Sequence, residues 1–281
     1  MGNREALQLL GNRISLPTLP DVVARISRMM DDPRVGLHEI GQVIAEDPGL
    51  TARVLRIANS AFYGLSEPVL TAEQAAAVVG ARSLRNIAMQ ASLMQRFEHL
   101  GGVADFDLQE VWSHAMLSAR LSEALAKQAR VANDLEPEDY YTCGLLHDVG
   151  KVILLEGLGE DYFEILRHAR ASQHALHLSE EATLGFTHVH VGSLLAARWK
   201  LPEPIATAIQ FHHGPMAEVI ARPTVAVVAI ADQIAYRVAS DSDQPALGNL
   251  AALARRVLGI GSEGFEQVLA LARMQDAGIA S

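Results

Sequence analysis

The sequence predicts an all-α protein, and three observations predict it. Apolar residues recur at three- and four-residue spacing along most of the chain, as in Val22, Val23, Ile26, Met29 and Met30. Helix start and stop residues punctuate those runs. The apolar content, 49% of the 281 residues, is carried by Ala, Leu, Val and Ile, with only 5% aromatic, which suits packed helices better than a β-sandwich.

The elements follow in order. Residues 3–12 form a first short helix. Pro17 and Pro20 end it and open the next, over 22–30. A third spans 37–45, with Leu37, Ile40, Val43 and Ile44 on one side. Asp47-Pro48 places an N-cap acid before a proline at the first helical position, and that helix runs to Asn59-Ser60. Thr71-Ala72-Glu73-Gln74 has capping-box form, Gly80 suits a helix stop, and a longer helix follows over 81–97. This opening stretch holds no cluster of reactive residues, and His38 and His99 read as solvated or capping side chains.

Leu100-Gly101-Gly102-Val103-Ala104-Asp105 interrupts the pattern. It divides the chain into an N-terminal helical subdomain, 1–100, and a second helical subdomain, 106–281. Helix 107–129 carries Glu110 and His114, four apart and so on one face. Glu136-Pro137 starts a helix expected to continue through Cys143, His147, Asp148 and Lys151. Further helices fall at 161–171 and 176–184; Gly185 to Gly192 leads into a helix ending near Trp199, and Leu201-Pro202-Glu203-Pro204 restarts it towards Phe211-His212-His213. The apolar helix 224–238 holds the lone acid Asp232. A polar loop, 240–244, and two helices, 247–258 and 263–275, complete the chain. No internal repeat or low-complexity tract is evident.

Composition excludes several function classes. The net charge is −10 with no long basic run, so nonspecific binding to a nucleic-acid backbone is not expected. A small anionic ligand in a local pocket is not excluded. No segment reaches the ~18 apolar residues of a membrane span, and the N-terminus has no signal-like region. Cys143 is the single cysteine. It reads as a small buried core residue, so no internal disulfide forms, which fits a cytoplasmic setting.

The chemistry lies in polar residues that interrupt apolar helices: Glu110, His114, His147, Asp148, His188, His212, His213 and Asp232. A histidine and an aspartate side by side in an apolar run need partners. Adjacent helical residues diverge by about 100°, so His147 and Asp148 can flank a common centre from two directions. Imidazole and carboxylate donors suit Fe, Mn, Zn or Mg. Carboxylates can also bridge two ions, and such sites hydrolyse phosphate esters. Each residue alone has a plainer reading: His212-His213 as a helix C-terminus, Asp232 as a cap or ion-pair partner, and His174 and His177 as solvated side chains. His190, two residues from His188, is left outside the set.

The order His, His-Asp, His, His-His, Asp resembles the HD superfamily of metal-dependent phosphohydrolases. His147-Asp148-Val149-Gly150-Lys151 is similar to the HD-GYP branch, which hydrolyses cyclic di-GMP. The resemblance to HDOD-domain proteins is closer and covers nearly the whole chain. It rests on Ile44-Ala45-Glu46-Asp47-Pro48-Gly49-Leu50-Thr51, Val54 to Phe62, Ala75 to Gly80, Val111-Trp112-Ser113-His114, Gly144 to Lys151, Gly185-Phe186-Thr187-His188, Trp199-Lys200-Leu201-Pro202, Ala208 to His213 and Ala231-Asp232.

The HDOD resemblance implies an HD-like second subdomain and a non-catalytic signalling or regulatory module. Such modules are often the output half of a response regulator and act on signalling protein partners. No stretch shows the α/β alternation of a receiver domain. The HD resemblance implies an alternative, a metal-dependent phosphohydrolase taking a small anionic nucleotide. His114, His147, Asp148 and Asp232 would hold one ion, and Glu110, His188, His212 and His213 would complete a second or third. Asp148 would bridge them and Lys151 would contact phosphate. Here Gly214-Pro215-Met216 follows His212-His213, in place of the Gly-Tyr-Pro loop of active HD-GYP enzymes.

Overall fold

The computed structural model describes residues 14–60, 63–100, 108–129, 135–239 and 244–279, without the side chains at 239, 244–246 and 275–279. The predicted helix 3–12 and most of the glycine-bearing stretch after Leu100 lie outside these residues. Among those described, every regular element is a helix and none is a strand, as the sequence predicts. The chain divides into two compact units, one spanning Thr18–His99 and one taking the remainder.

The first unit contains α1 (Asp21–Met30), α2 (Leu37–Ala45), α3 (Pro48–Ala58) and α4 (Ala72–Arg96). Their ends form as the capping residues dictate. The Asp47 carboxylate accepts the backbone N–H groups of Gly49 and Leu50 at 2.8 and 3.1 Å, with Pro48 at the first helical position. Thr71 accepts the Gln74 N–H at 3.2 Å, and the Gln74 side chain accepts that of Leu70 at 2.8 Å. Gly80 interrupts the helix where the sequence expects a stop, leaving two helical runs joined across a kink within α4. Its φ of 81° lies in the region open to glycine, and the helix resumes beyond it to Arg96. Ile26, Ile40, Ile44, Val54, Leu84 and Ile87 form the buried centre of this unit.

Asn59 ties α3 to the segment before α4. Its side chain donates to the Val69 carbonyl at 2.9 Å and accepts the Val69 N–H at 2.8 Å. Replacing Asn59 with alanine would leave two partly buried backbone groups without partners, at a cost of about 2 kcal/mol. A lowered urea midpoint with unchanged slope would record this.

The second unit is built on α5 (Leu108–Gln128), which packs against α6 (Pro137–Leu146), α13 (Pro223–Ala239) and α15 (Ser262–Ile279). Leu117, Leu121 and Leu125 meet Val225, Ile230, Ile234, Phe265 and Leu269 in its core. Between α6 and α13 run α7 (Val149–Leu158), α8 (Glu160–Ser172), α9 (Leu176–Leu184), α10 (His188–Trp199), α11 (Glu203–Phe211) and α12 (Met216–Ala221), and α14 (Gln244–Leu258) precedes α15. Residues 14–17, which sequence order groups with the first subdomain, pack here. The Trp199 indole donates to the Pro17 carbonyl at 2.8 Å, and Ile14 lies over Gly157.

One local departure shapes the site. The helix expected to run unbroken from Glu136 past Lys151 is two helices. Asp148, at φ −101° and ψ 9°, leaves the helical region, so α6 ends at Leu146 and α7 starts at Val149. His147 and Asp148 occupy the corner.

Candidate metal centre

Four elements and the corner bring polar side chains to one buried place. His114 comes from α5, His147 and Asp148 from the α6–α7 corner, His188 from the start of α10, His212 and His213 from the end of α11, and Asp232 from the middle of α13. They form two groups that share Asp148: His114, His147, Asp148 and Asp232, and Asp148, His188, His212 and His213. Within each group the nearest donor atoms all lie within 4.8 Å of one another. Asp148 faces both groups. Its Oδ2 lies 3.3 Å from His147 Nε2 and 3.7 Å from His114 Nε2, and its Oδ1 lies 3.2 Å from His188 Nε2 and 3.5 Å from His212 Nε2. Asp232 Oδ1 stands 3.0 Å from His114 Nε2 and 3.6 Å from His147 Nε2.

The orientation of three imidazoles follows from their outer partners. His147 Nδ1 is 2.7 Å from the Gly144 carbonyl, His212 Nδ1 is 2.9 Å from the Ile209 carbonyl, and His188 Nδ1 is 2.7 Å from the Glu180 carboxylate. Carbonyl and carboxylate oxygens only accept, so each Nδ1 carries the proton. In the neutral ring the inward Nε2 is then the atom with a lone pair to offer, the arrangement found around protein-bound metals. His190 is turned the other way. Its Nδ1 accepts the Thr187 N–H at 3.0 Å and caps α10, so it stands apart from both groups.

The donor set fits a divalent ion. His147 Nε2 and Asp148 Oδ1 are buried without a hydrogen-bond partner, which is costly unless something else engages them. His147 and His188 are wholly buried, and Asp148 and Asp232 nearly so. Burial alone would raise both carboxyl groups, yet His147 and Lys151 hold Asp148, and His114 and His147 hold Asp232, well below the usual carboxylate range. Burial alone would lower His147, but Asp148 and Asp232 lift it to about 10. Burial pushes His212 down to about 4 and His213 to about 2.

These shifts predict the pH response of the chelator-stripped chain. His147 is raised in the fold, so its contribution is full below about pH 6.5 and is lost as pH rises through about 10. His212 is lowered, so its contribution is full above about pH 6.5 and fades as pH falls towards 4. Asp148 and Asp232 contribute above about pH 4 and fail below it. Urea midpoints measured across pH in chelator should therefore fall on both sides of neutrality.

Two other predicted residues lie elsewhere or act otherwise. Glu110 is in neither group. It is exposed on α5 and accepts from Arg170 at 2.6 Å. Lys151 pairs directly with Asp148 Oδ2, which places its ammonium on the shared carboxylate. His177, expected to be solvated, is half-buried and stacks on His213, ring centroids 4.4 Å apart. Both line a cavity of about 480 Å³ with Thr187, His190, Gln210 and Phe211. Sequence reasoning missed Glu180, which is fully buried behind His188. In Leu178-Ser179-Glu180-Glu181 it looks like an ordinary helix-surface acid.

This arrangement can be set beside known proteins. A family model described as the HDOD domain matches residues 16–215. The chain belongs to the HDOD domain family. A crystal structure of an HDOD domain protein with unknown function from Geobacter sulfurreducens is similar, at 27% identity and a TM-score of 0.81, over 99% of this chain and 95% of that one. So is a "Putative phosphohydrolase" from Shewanella amazonensis, at 26% identity and a TM-score of 0.75, over 98% of each chain. An uncharacterized protein of Treponema pallidum is 29% identical over 222 residues, 77% of this chain. This HDOD chain spans only 41% of that protein's length. Among the described residues, no helix is long and apolar enough to cross a membrane.

Proposed function

We propose that this chain is an HDOD regulatory module that works through a signalling protein partner and is held together by a dinuclear divalent-metal centre. The observation that carries the reading is the shared Asp148, with inward-facing Nε2 atoms on both sides of it. His114, His147 and Asp232 would hold one ion, His188, His212 and His213 the other, and Asp148 both. The mixed imidazole and carboxylate donors suit Fe, Mn or Zn better than Mg. Structural ions of this kind contribute directly to folding.

Three observations support a regulatory role. Gly214-Pro215-Met216 stands where active HD-GYP enzymes carry Gly-Tyr-Pro. Lys151, the expected phosphate contact, engages Asp148 instead. The unit 18–99 shows no cluster of metal-ligating side chains among its described residues, which suits a docking subdomain. We take 18–99 and the remainder as the two working subdomains of a cytoplasmic protein.

A specific observation favours a second reading, a phosphohydrolase for a small nucleotide: the cavity reaches His213, a member of one donor group. A bound metal pair would supply Lewis-acid activation of the phosphate ester. The chain's own part would be to seat the ligand against His177 and His213 and to place Lys151 beside the shared carboxylate. The test loads the full chain with Mn, Fe or Zn and offers cyclic di-GMP and a generic phosphodiester. The regulatory reading expects no turnover above that of His147→Ala. Turnover that vanishes in His147→Ala would establish the enzyme.

A further inference from the structure

Glu180 is fully buried, and nothing assigned so far requires it. One carboxylate oxygen accepts both the backbone N–H of His188, at 2.9 Å, and the His188 Nδ1–H, at 2.7 Å. The other accepts the hydroxyl of Tyr162, itself fully buried on α8. Burying a carboxylate is expensive, and an apolar side chain of the same volume often serves stability as well or better. A capping role at the start of α10 would explain the bond to the His188 N–H. It does not explain the bond to the ring, or a tyrosine placed to fix the far oxygen.

We infer that Glu180 is a positioning residue of the metal centre, orienting His188 so that its Nε2 faces the ion shared with Asp148, and that Tyr162 locks the carboxylate in that pose. The geometry runs in one line. Tyr162 donates to Glu180, Glu180 accepts from His188 Nδ1, and His188 Nε2 lies 3.2 Å from Asp148 Oδ1. His147 and His212 rely on neutral backbone carbonyls for the same task. Only His188 has a charged partner behind it, so its imidazole is the strongest donor of the three. The two ions are therefore unequal, the one on His188, His212 and His213 depending on Glu180 and the one on His114, His147 and Asp232 not.

This inference rests on the metal centre proposed above, and its test separates the two. Co²⁺ is titrated into the stripped full chain and followed by its visible absorption. His188→Ala and His114→Ala assign the two ions. Glu180→Gln keeps an acceptor for the His188 N–H and ring but removes the charge. It should weaken the His188 ion roughly 10–100-fold and leave the other unchanged. If Glu180 only caps α10, Glu180→Gln binds both ions as the wild type does, and the inference is overturned. Should Glu180→Gln fail to fold, Tyr162→Phe decides. It keeps the charge and frees the carboxylate to turn, so the same ion should weaken several-fold, and unchanged binding there overturns the inference equally. A wild-type chain that takes up no Co²⁺ overturns the metal centre itself, and this inference with it.

Discussion

Replacing Asp148 with alanine is expected to strip the chain of both ions at once, from about two per chain to almost none. Its two oxygens face different groups, Oδ2 towards His147 and His114 and Oδ1 towards His188 and His212. No other side chain belongs to both sets. His114→Ala and His188→Ala should each cost about one ion, and the double variant should match Asp148→Ala. The substitution also leaves Lys151 without its carboxylate partner and removes the negative charge that lifts His147. His147 should then titrate far closer to its ordinary range, an effect that NMR of the imidazole can follow. Metal analysis of the four proteins, each shown to be folded, checks the prediction.

The second large effect concerns a residue with no side chain. At Gly150, on the first turn of α7, an added Cβ would lie 2.0 Å from the His188 carbonyl oxygen and 2.8 Å from its carbonyl carbon. Both are backbone atoms that cannot swing aside. Gly150→Ala should therefore cost about 3 kcal/mol or more. The damage is directed, because the backbone pushed away carries His188. In whatever fraction still folds, the His188 ion should be lost before the His114 ion. Urea melts give the first number and metal analysis the second. Gly150 thus explains why the His147-Asp148 corner needs a glycine two residues on: α7 and the start of α10 touch there, and that contact brings His188 to Asp148.

Much of this was legible in the sequence, for physical reasons. Caps are local chemistry, so Asp47-Pro48 and Thr71 to Gln74 announce their helices without reference to the rest of the chain. Polar side chains stand out where they interrupt apolar runs, and His114, His147, Asp148, His188, His212, His213 and Asp232, which the fold brings together, all do so. What escaped depends on distant partners. Glu110 shares a helical face with His114 by spacing, yet Arg170, sixty residues on, holds it at the surface. Glu180 sits beside Glu181 in an ordinary-looking helix, and only the packing of α8, α9 and α10 shows which of the two is inside. The corner at Asp148 has no proline or terminal glycine to mark it, so the run from Glu136 past Lys151 reads as one helix when it is two.

The central claim is that the shared carboxylate and its histidines form a metal centre. The measurement that meets it most directly is metal content by plasma mass spectrometry, on full chain produced in medium supplying Fe, Mn and Zn and purified without chelator or metal-affinity resin. The account predicts about two transition-metal ions per chain, falling to about one in His147→Ala and to almost none in Asp148→Ala. A fully folded wild-type chain carrying none would contradict it, and these histidines would then be core residues held by their hydrogen bonds alone.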